Sequence, residues 1–190
     1  MTKWLGGMLV VGGAIGGVMA LRAYVSTRDV ATAANYRDAE FVIEGTRIKL
    51  TNGFARTGAA PGSASTIVTR YVGNDLETDV DGDGRDDVVF LLAQDRGSSG
   101  TFFYAVAAVH TDSGYVGSDG YFLGDRIAPQ SVEESQNPRH RFVIVVTFAD
   151  RALDEPMTTR PSLSRSAYLK LDAERMQWGI VEPDFEGESR

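Results

Sequence analysis

The sequence predicts a mainly β protein, an antiparallel sandwich or open barrel, preceded by one N-terminal transmembrane helix. Three observations carry that expectation. Beyond residue 40, turn signals recur about every ten residues, and no long stretch repeats at the helical period. DVVFLLAQ (87–94) and TFFYAVAAV (101–109) are nearly continuous apolar, β-prone runs separated by DRGSSG, the pattern of a hairpin whose strands are largely buried. Before all of this, WLGGMLVVGGAIGGVMAL (4–21) carries no charge and is bracketed by Lys3 and Arg22.

The apolar segment comes first in the chain. As a helix, eighteen residues rise about 27 Å, close to the hydrocarbon thickness of a bilayer. A cleaved signal peptide has a shorter apolar region, of roughly 7–15 residues, so the length favours a retained anchor over residues 1–25. A weak cleavage pattern with small residues at Val18 and Ala20 keeps the signal-peptide alternative open. Gly12 and Gly16, and Gly13 and Gly17, are spaced so that two such helices approach closely, a route to self-association; glycines this frequent also match that spacing by chance.

Residues 26–39 read as a polar linker or short helix, and residues 40–182 as the β domain. FVIEGTRIKLTNG reads as two short strands around a turn at Glu44-Gly45, closed by a second turn at Asn52-Gly53. FARTGAAPGSAS (54–65) reads as a loop, and STIVTRYVG alternates like a half-buried strand. After the central hairpin, GYVGSDGYFLG (114–124) gives short strands broken by glycine. RFVIVVTFA (141–149), SAYLKL (166–171) and MQWGIV (176–181) complete the set, and residues 183–190 form an acidic tail.

Composition removes several classes of function. With no cysteine, disulfides, zinc–thiolate sites and a cysteine nucleophile are excluded, as is a lipid-modified cysteine after the apolar run. Past residue 25 the chain has 17 basic and 26 acidic side chains, a net charge of −9, and no basic stripe. Such a surface repels phosphate backbones, so no nucleic-acid partner is expected.

One stretch concentrates chemistry. DVDGDGRDD, from Asp79 to Asp87, holds five aspartates and two glycines in nine residues. With Asp79 as position one, carboxylates fall at one, three and five (Asp79, Asp81, Asp83), glycine at six (Gly84) and Asp87 at nine. The carbonyl of Arg85 occupies position seven. This is the front of an EF-hand-type loop, in which alternate oxygens on a curling chain converge on a calcium ion (Ca2+) that takes six to eight hard oxygen ligands. Position twelve is Phe90, where an EF-hand has a bidentate glutamate, and a strand follows instead of a helix. The metal expected is calcium. Water or a carboxylate such as Asp75 or Glu77 would fill the missing position. The competing explanation is a solvated acidic turn, since aspartate and glycine are favoured turn residues.

The pattern D-x-D-G-D-G-x-x-D running straight into a strand resembles the calcium loops of FG-GAP repeats, and its first nine positions resemble dockerin loops. That resemblance implies Asp79, Asp81, Asp83, Arg85 through its carbonyl, and Asp87 as the calcium ligands, with Asp86 pointing away. More widely, residues 50–150, from TNGFARTGAAPGSASTIVTRYVGN to FLGDRIAPQ, resemble uncharacterised bacterial envelope proteins with an N-terminal signal or anchor. That resemblance implies a location and a fold but no activity. A loop this incomplete binds weakly, at about 0.1–1 mM as extracellular modules do, and would be empty at cytosolic calcium. The expected location is therefore the bacterial inner membrane, single-pass, with the domain in the periplasm. The basic residues Arg22, Arg28 and Arg37 lean the other way by the positive-inside rule.

These readings together describe a membrane-anchored periplasmic β module with a structural calcium loop that binds another envelope component. The alternative is a periplasmic hydrolase or small-ligand-binding protein. His110 and His140 are its candidate bases, yet a lone strand-end histidine is more often structural, and no nucleophile elbow or phosphate loop is present. Asp125-Arg126 reads as a turn with a local ion pair. A filled sandwich with one exposed apolar patch would favour the module; a deep polar cleft around a histidine would favour the alternative.

Overall fold

In a computed structural model of the chain, residues 31–59, 65–97 and 100–183 are described. They are mainly β, and every pairing between the strands named below is antiparallel. The expected membrane span, residues 4–21, lies outside the described residues; among those described, no helix is long and apolar enough to cross a membrane.

The chain enters through a short 3-10 turn, Tyr36–Asp38, and a hairpin of β1 (Glu40–Ile43) and β2 (Thr46–Lys49). Six strands then build the central sheet. β3 (Phe54–Gly58), β4 (Thr66–Thr78), β5 (Asp87–Asp95), β6 (Thr101–Thr111) and β7 (Gly114–Gly117) follow in order, and β8 (Tyr121–Asp125) pairs with the other half of β6. A second sheet has the order β12-β11-β10-β9, from β9 (Ala128–Glu134), β10 (Val143–Asp150), β11 (Leu163–Asp172) and β12 (Gln177–Ile180).

The apolar runs of β5 and β6 are continuous because both faces of the central sheet are covered. Successive side chains point to opposite faces. Val89, Leu91, Ala105, Ala107 and Val109 pack with Ile144, Val146, Phe148, Leu169 and Leu171 of the four-stranded sheet. The alternate residues Val88, Phe90, Leu92, Tyr104, Val106 and Ala108 pack with Phe41, Ile43, Ile48 and Leu50 of the hairpin. The domain is thus layered: hairpin, six-stranded sheet, four-stranded sheet.

Several boundaries differ from the sequence expectation, each for a tertiary reason. Residues 31–39 are part of the packed unit and not a free linker: Ala39 is fully buried, and Ala33 exchanges backbone hydrogen bonds with Tyr115 at 2.9 and 2.7 Å. Residues 54–58 form β3, because their backbone pairs with β4 although their composition reads as a loop. β9 carries a proline and four polar or charged side chains without clear alternation, and exists through its pairing with β10, whose register shifts at Thr147/Phe148 beside Pro129. Sequence reading assigned no strand there.

The two halves of the β6 edge meet at Ser118. Its hydroxyl accepts the Ala107 N–H at 2.9 Å, and its own N–H donates to the Ala107 carbonyl at 2.8 Å, so a side chain bridges the break between β7 and β8. β1 crosses at this point: a Cβ on Gly117 would lie 2.2 Å from the Glu40 carbonyl oxygen. Glycine is required there by a crossing backbone.

Candidate metal centre

Thr78 and Asp87 are paired across the β4–β5 ladder, so residues 79–86 form the loop that closes this hairpin. Asp87 therefore stands at the first position of the most buried strand, and it is fully buried itself. The loop lies at the lower end of the central sheet, where a carboxylate would otherwise be costly to bury.

The loop curls on its own carboxylates. Asp79 accepts the Gly82 N–H at 2.6 Å on Oδ1 and the Gly84 N–H at 3.0 Å on Oδ2. Asp81 accepts the Asp83 N–H at 3.0 Å, and Asp83 the Arg85 N–H at 2.9 Å. Gly82 and Gly84 have φ of 88° and 86°, the left-handed region that such a curl uses and that glycine adopts without penalty. Asp87 closes the ring from below. Its Oδ2 accepts the Val80 N–H at 3.0 Å, and its Oδ1 accepts the His110 N–H at 2.8 Å. Both oxygens face donors, so an amide could not replace the carboxylate without placing its NH2 against an N–H.

This arrangement gathers three of the five expected ligands. Asp79, Asp81 and Asp87 each offer an oxygen, and these three oxygens lie within 4.8 Å of one another. Two oxygens bound to one calcium at about 2.4 Å can be no more than about 5 Å apart, so the three already fit around a single ion of that size. Each oxygen that takes one N–H keeps a lone pair for a cation. Burial pushes the Asp87 carboxyl up, the His110 and Val80 N–H groups pull it back, and the nearby Asp81 and Asp83 charges push it up again. A divalent cation is the kind of partner that would reverse that balance.

Asp83, another expected ligand, is not among the three gathered residues. Asp83 is held by Arg85, at 2.8 Å from Nε and 2.5 Å from Nη2, and that guanidinium keeps its carboxyl below the usual range. Arg85 also reaches Asp112 at 2.5 Å. Asp86 is exposed, as the spacing implies. Asp75, one suggested supplement, is committed elsewhere: it accepts hydrogen bonds from Tyr36 at 2.8 Å and Tyr71 at 2.7 Å, with Arg37 at 3.4 Å.

Sequence reading missed Phe142. It adopts a φ of 57°, rare for a bulky residue, and its ring lies 3.2 Å from where a Gly82 Cβ would be. The β9–β10 connection is thereby seated on the aspartate loop, and a cleft of about 290 Å³ runs between them, lined by Asp79, Glu134, Ser135, His140 and Phe142 among others. No local pattern in RHRF signals this; the contact joins segments sixty residues apart.

The cleft contains a serine–histidine pair that bears on a hydrolytic reading. Ser135 Oγ lies 2.7 Å from His140 Nδ1, and Asn137 Nδ2 lies 3.3 Å from His140 Nε2. Asn137 Oδ1 accepts the Arg139 N–H at 3.0 Å, which fixes the amide with its NH2 toward the ring. Nε2 is then an acceptor, and Nδ1 carries the proton and donates it to Ser135. A general base needs the opposite, a bare nitrogen facing the hydroxyl. His110 stacks on Tyr115 at 4.8 Å, and its backbone serves Asp87. In this tautomer His140 is not set up to take a proton from Ser135. Asp125 and Arg126 form the expected local pair, at 2.7 Å.

Fold and site define the class as a mainly β domain with antiparallel sheets, in which three aspartates, close enough to hold a metal ion, gather on the loop between two central strands and at the start of the second. Compared with known proteins, the chain matches no family model, no curated protein and no solved structure.

Proposed function

We propose that the chain is a non-catalytic module of the bacterial cell envelope, anchored in the inner membrane by residues 4–21, with its β domain in the periplasm. A calcium ion on Asp79, Asp81 and Asp87 stabilises the domain, and the domain engages another envelope component. The observation that carries this reading is the gathering of three carboxylates around a fully buried Asp87. Without a cation these charges repel one another at the end of the central strand. Calcium is favoured over magnesium because a flexible carboxylate loop suits its looser coordination. Asp83, once released from Arg85, the Arg85 carbonyl and water would complete the shell. The wrong tautomer at His140 weighs against the hydrolase alternative.

The test is thermal unfolding of a chain beginning at Ser26, with chelator and with millimolar calcium. A ligand that binds only the folded state at a hundred times its dissociation constant adds about 2.7 kcal/mol. For a domain of this size that raises the melting temperature by roughly 5–10 °C. Asp81→Ala abolishes the rise, and Asp86→Ala keeps it. A wild-type melt that ignores calcium reduces the loop to a turn. The anchor and its orientation are tested separately: the full chain should resist carbonate extraction from membranes, and a reporter fused after Arg190 that works only outside the cytoplasm should be active.

A further inference from the structure

The four-stranded sheet is covered along only part of its inner face. Residues opposite one another on paired strands share a face. Leu169 pairs with Ile180 and Leu171 with Trp178, so Ile180 lies on the core-facing side with Leu169 and Leu171. Leu169 is 0% exposed, yet Ile180 is 69% exposed. Ile180 and β8 of the central sheet line the same opening. What remains is an open groove of about 580 Å³ between the edge of β8 and the β11–β12 end, lined by Tyr121, Phe122, Arg165, Ala167, Ile180 and Glu182 among others. Phe122, on β8, is 49% exposed.

The flank is also a free edge. β12 is the outermost strand of its sheet and pairs only with β11 among the described residues. Val181 donates to the Tyr168 carbonyl at 2.9 Å, which sets the alternation of the ladder. The main-chain groups of Trp178 and Ile180 therefore face away from β11. The start of the strand is tied to Asp119, and among the described residues nothing pairs with the edge beyond it. An edge with unpaired N–H and C=O groups beside uncovered apolar side chains is a template for another strand.

Charge selects what that strand would be. Arg165 is committed to Asp150 at 3.1 Å, which leaves Glu182 as the groove's outstanding charge. The chain past residue 25 carries a net charge of −9, so a second copy is repelled and a basic segment attracted. We infer that the β8–β12 groove binds an extended segment of another protein, with alternating apolar side chains and a lysine or arginine, as a fifth strand on β12. This deepens the module reading by naming the docking surface, and it rests on that reading for the existence of a partner.

The probes are three synthetic peptides of about eight residues, an ordinary strand length. One alternates valine or isoleucine with threonine around a central lysine; the second replaces lysine by aspartate; the third is the lysine peptide N-methylated at alternate amides. With the full-length chain in detergent, the lysine peptide should bind at least about tenfold more tightly than either control, a difference of about 1.4 kcal/mol. It should slow hydrogen exchange at the Trp178 and Ile180 amides. Ile180→Asp should remove both effects, and Phe54→Asp, at an exposed phenylalanine on β3, should remove neither. Should Ile180→Asp fail to fold, Glu182→Lys should invert the preference between lysine and aspartate peptides. Equal binding of all three peptides, no binding, or protection on β3 in place of β12 overturns the inference. Protection that grows with protein concentration and needs no peptide makes a second copy the occupant and overturns it too. Each measurement is run with calcium and with chelator, so a failed groove leaves the calcium-dependent melt standing, and a failed calcium loop leaves the peptide result standing.

Discussion

The two faces of the central sheet are covered in different ways. One face lies under residues 33–50, a contiguous stretch whose hairpin register is set by a two-residue turn with φ of 48° and 79° at Glu44 and Gly45. Its inward residues Phe41, Ile43, Ile48 and Leu50 are at most 2% exposed. The other face lies under a sheet built from residues 128–180, which is tight over Leu91 and Ala107 and open at Ile180. A short local cap can match the area it covers. A four-stranded sheet has its own width, and where it overruns its partner it leaves an edge.

This contrast can be broken by mutation. The largest effect should come from the locally capped face. Phe90 is fully buried, and the rings of Tyr36, Phe41 and Tyr71 stand 5.5–5.6 Å from it. Phe90→Ala should cost about 3–5 kcal/mol in denaturant unfolding, because three aromatic neighbours cannot collapse into the space. On the opposite face, Leu169→Ala should cost about 2–5 kcal/mol, whereas Ile180→Ala, on the same side of the sheet, should cost less than about 1 kcal/mol. Equal costs at the two positions would mean that the groove is closed in solution.

A smaller effect is expected where the entry segment is tied down. Arg37 donates to the Tyr71 hydroxyl at 2.9 Å and to the Tyr36 hydroxyl at 3.1 Å, and its guanidinium lies 4.1 Å from the Tyr71 ring centre. Its side chain is partly exposed, so Arg37→Ala should cost about 1 kcal/mol. Faster hydrogen exchange around Ala33 and Ala39, with β9–β12 unchanged, would place the loss on this face.

The smallest effect is a pH dependence of the same cluster. Burial, and then the hydrogen bond to Asp75 and its charge, push the Tyr71 phenol from its ordinary 10.0 up to about 12. Between those values the unfolded chain gives up this proton and the folded chain keeps it, so stability should fall as pH rises through that window. Tyr71→Phe should flatten that part of the curve. An unchanged slope would mean that other groups set the alkaline limit.

Much of this was legible in the chain because its signals are local. The unbroken apolar runs of β5 and β6 announce burial on both faces, since a half-solvated strand would alternate. Glu44-Gly45 and Asn52-Gly53 announce turns, because the left-handed backbone of Gly45, Asn52 and Gly53 suits glycine and asparagine. Asp79, Asp81 and Asp87 announce a converging loop through spacing alone, and Asp86 announces its exposure by the same count.

Most of what only the tertiary structure decided has partners distant in sequence. β3 and β9 exist through ladders with β4 and β10, and their own side chains carry little strand signal. The separation of Asp83 from the gathered aspartates depends on Arg85, a competitor that spacing does not rank, reaching it and Asp112 together. The seat of Phe142 on Gly82 joins two loops across sheets. Ile180 reads in sequence as an ordinary strand residue, and its exposure follows from where the opposite sheet stops. A local pattern records what a residue does to its own backbone and which face it prefers; whether anything arrives to cover that face depends on the lengths and registers of strands far along the chain.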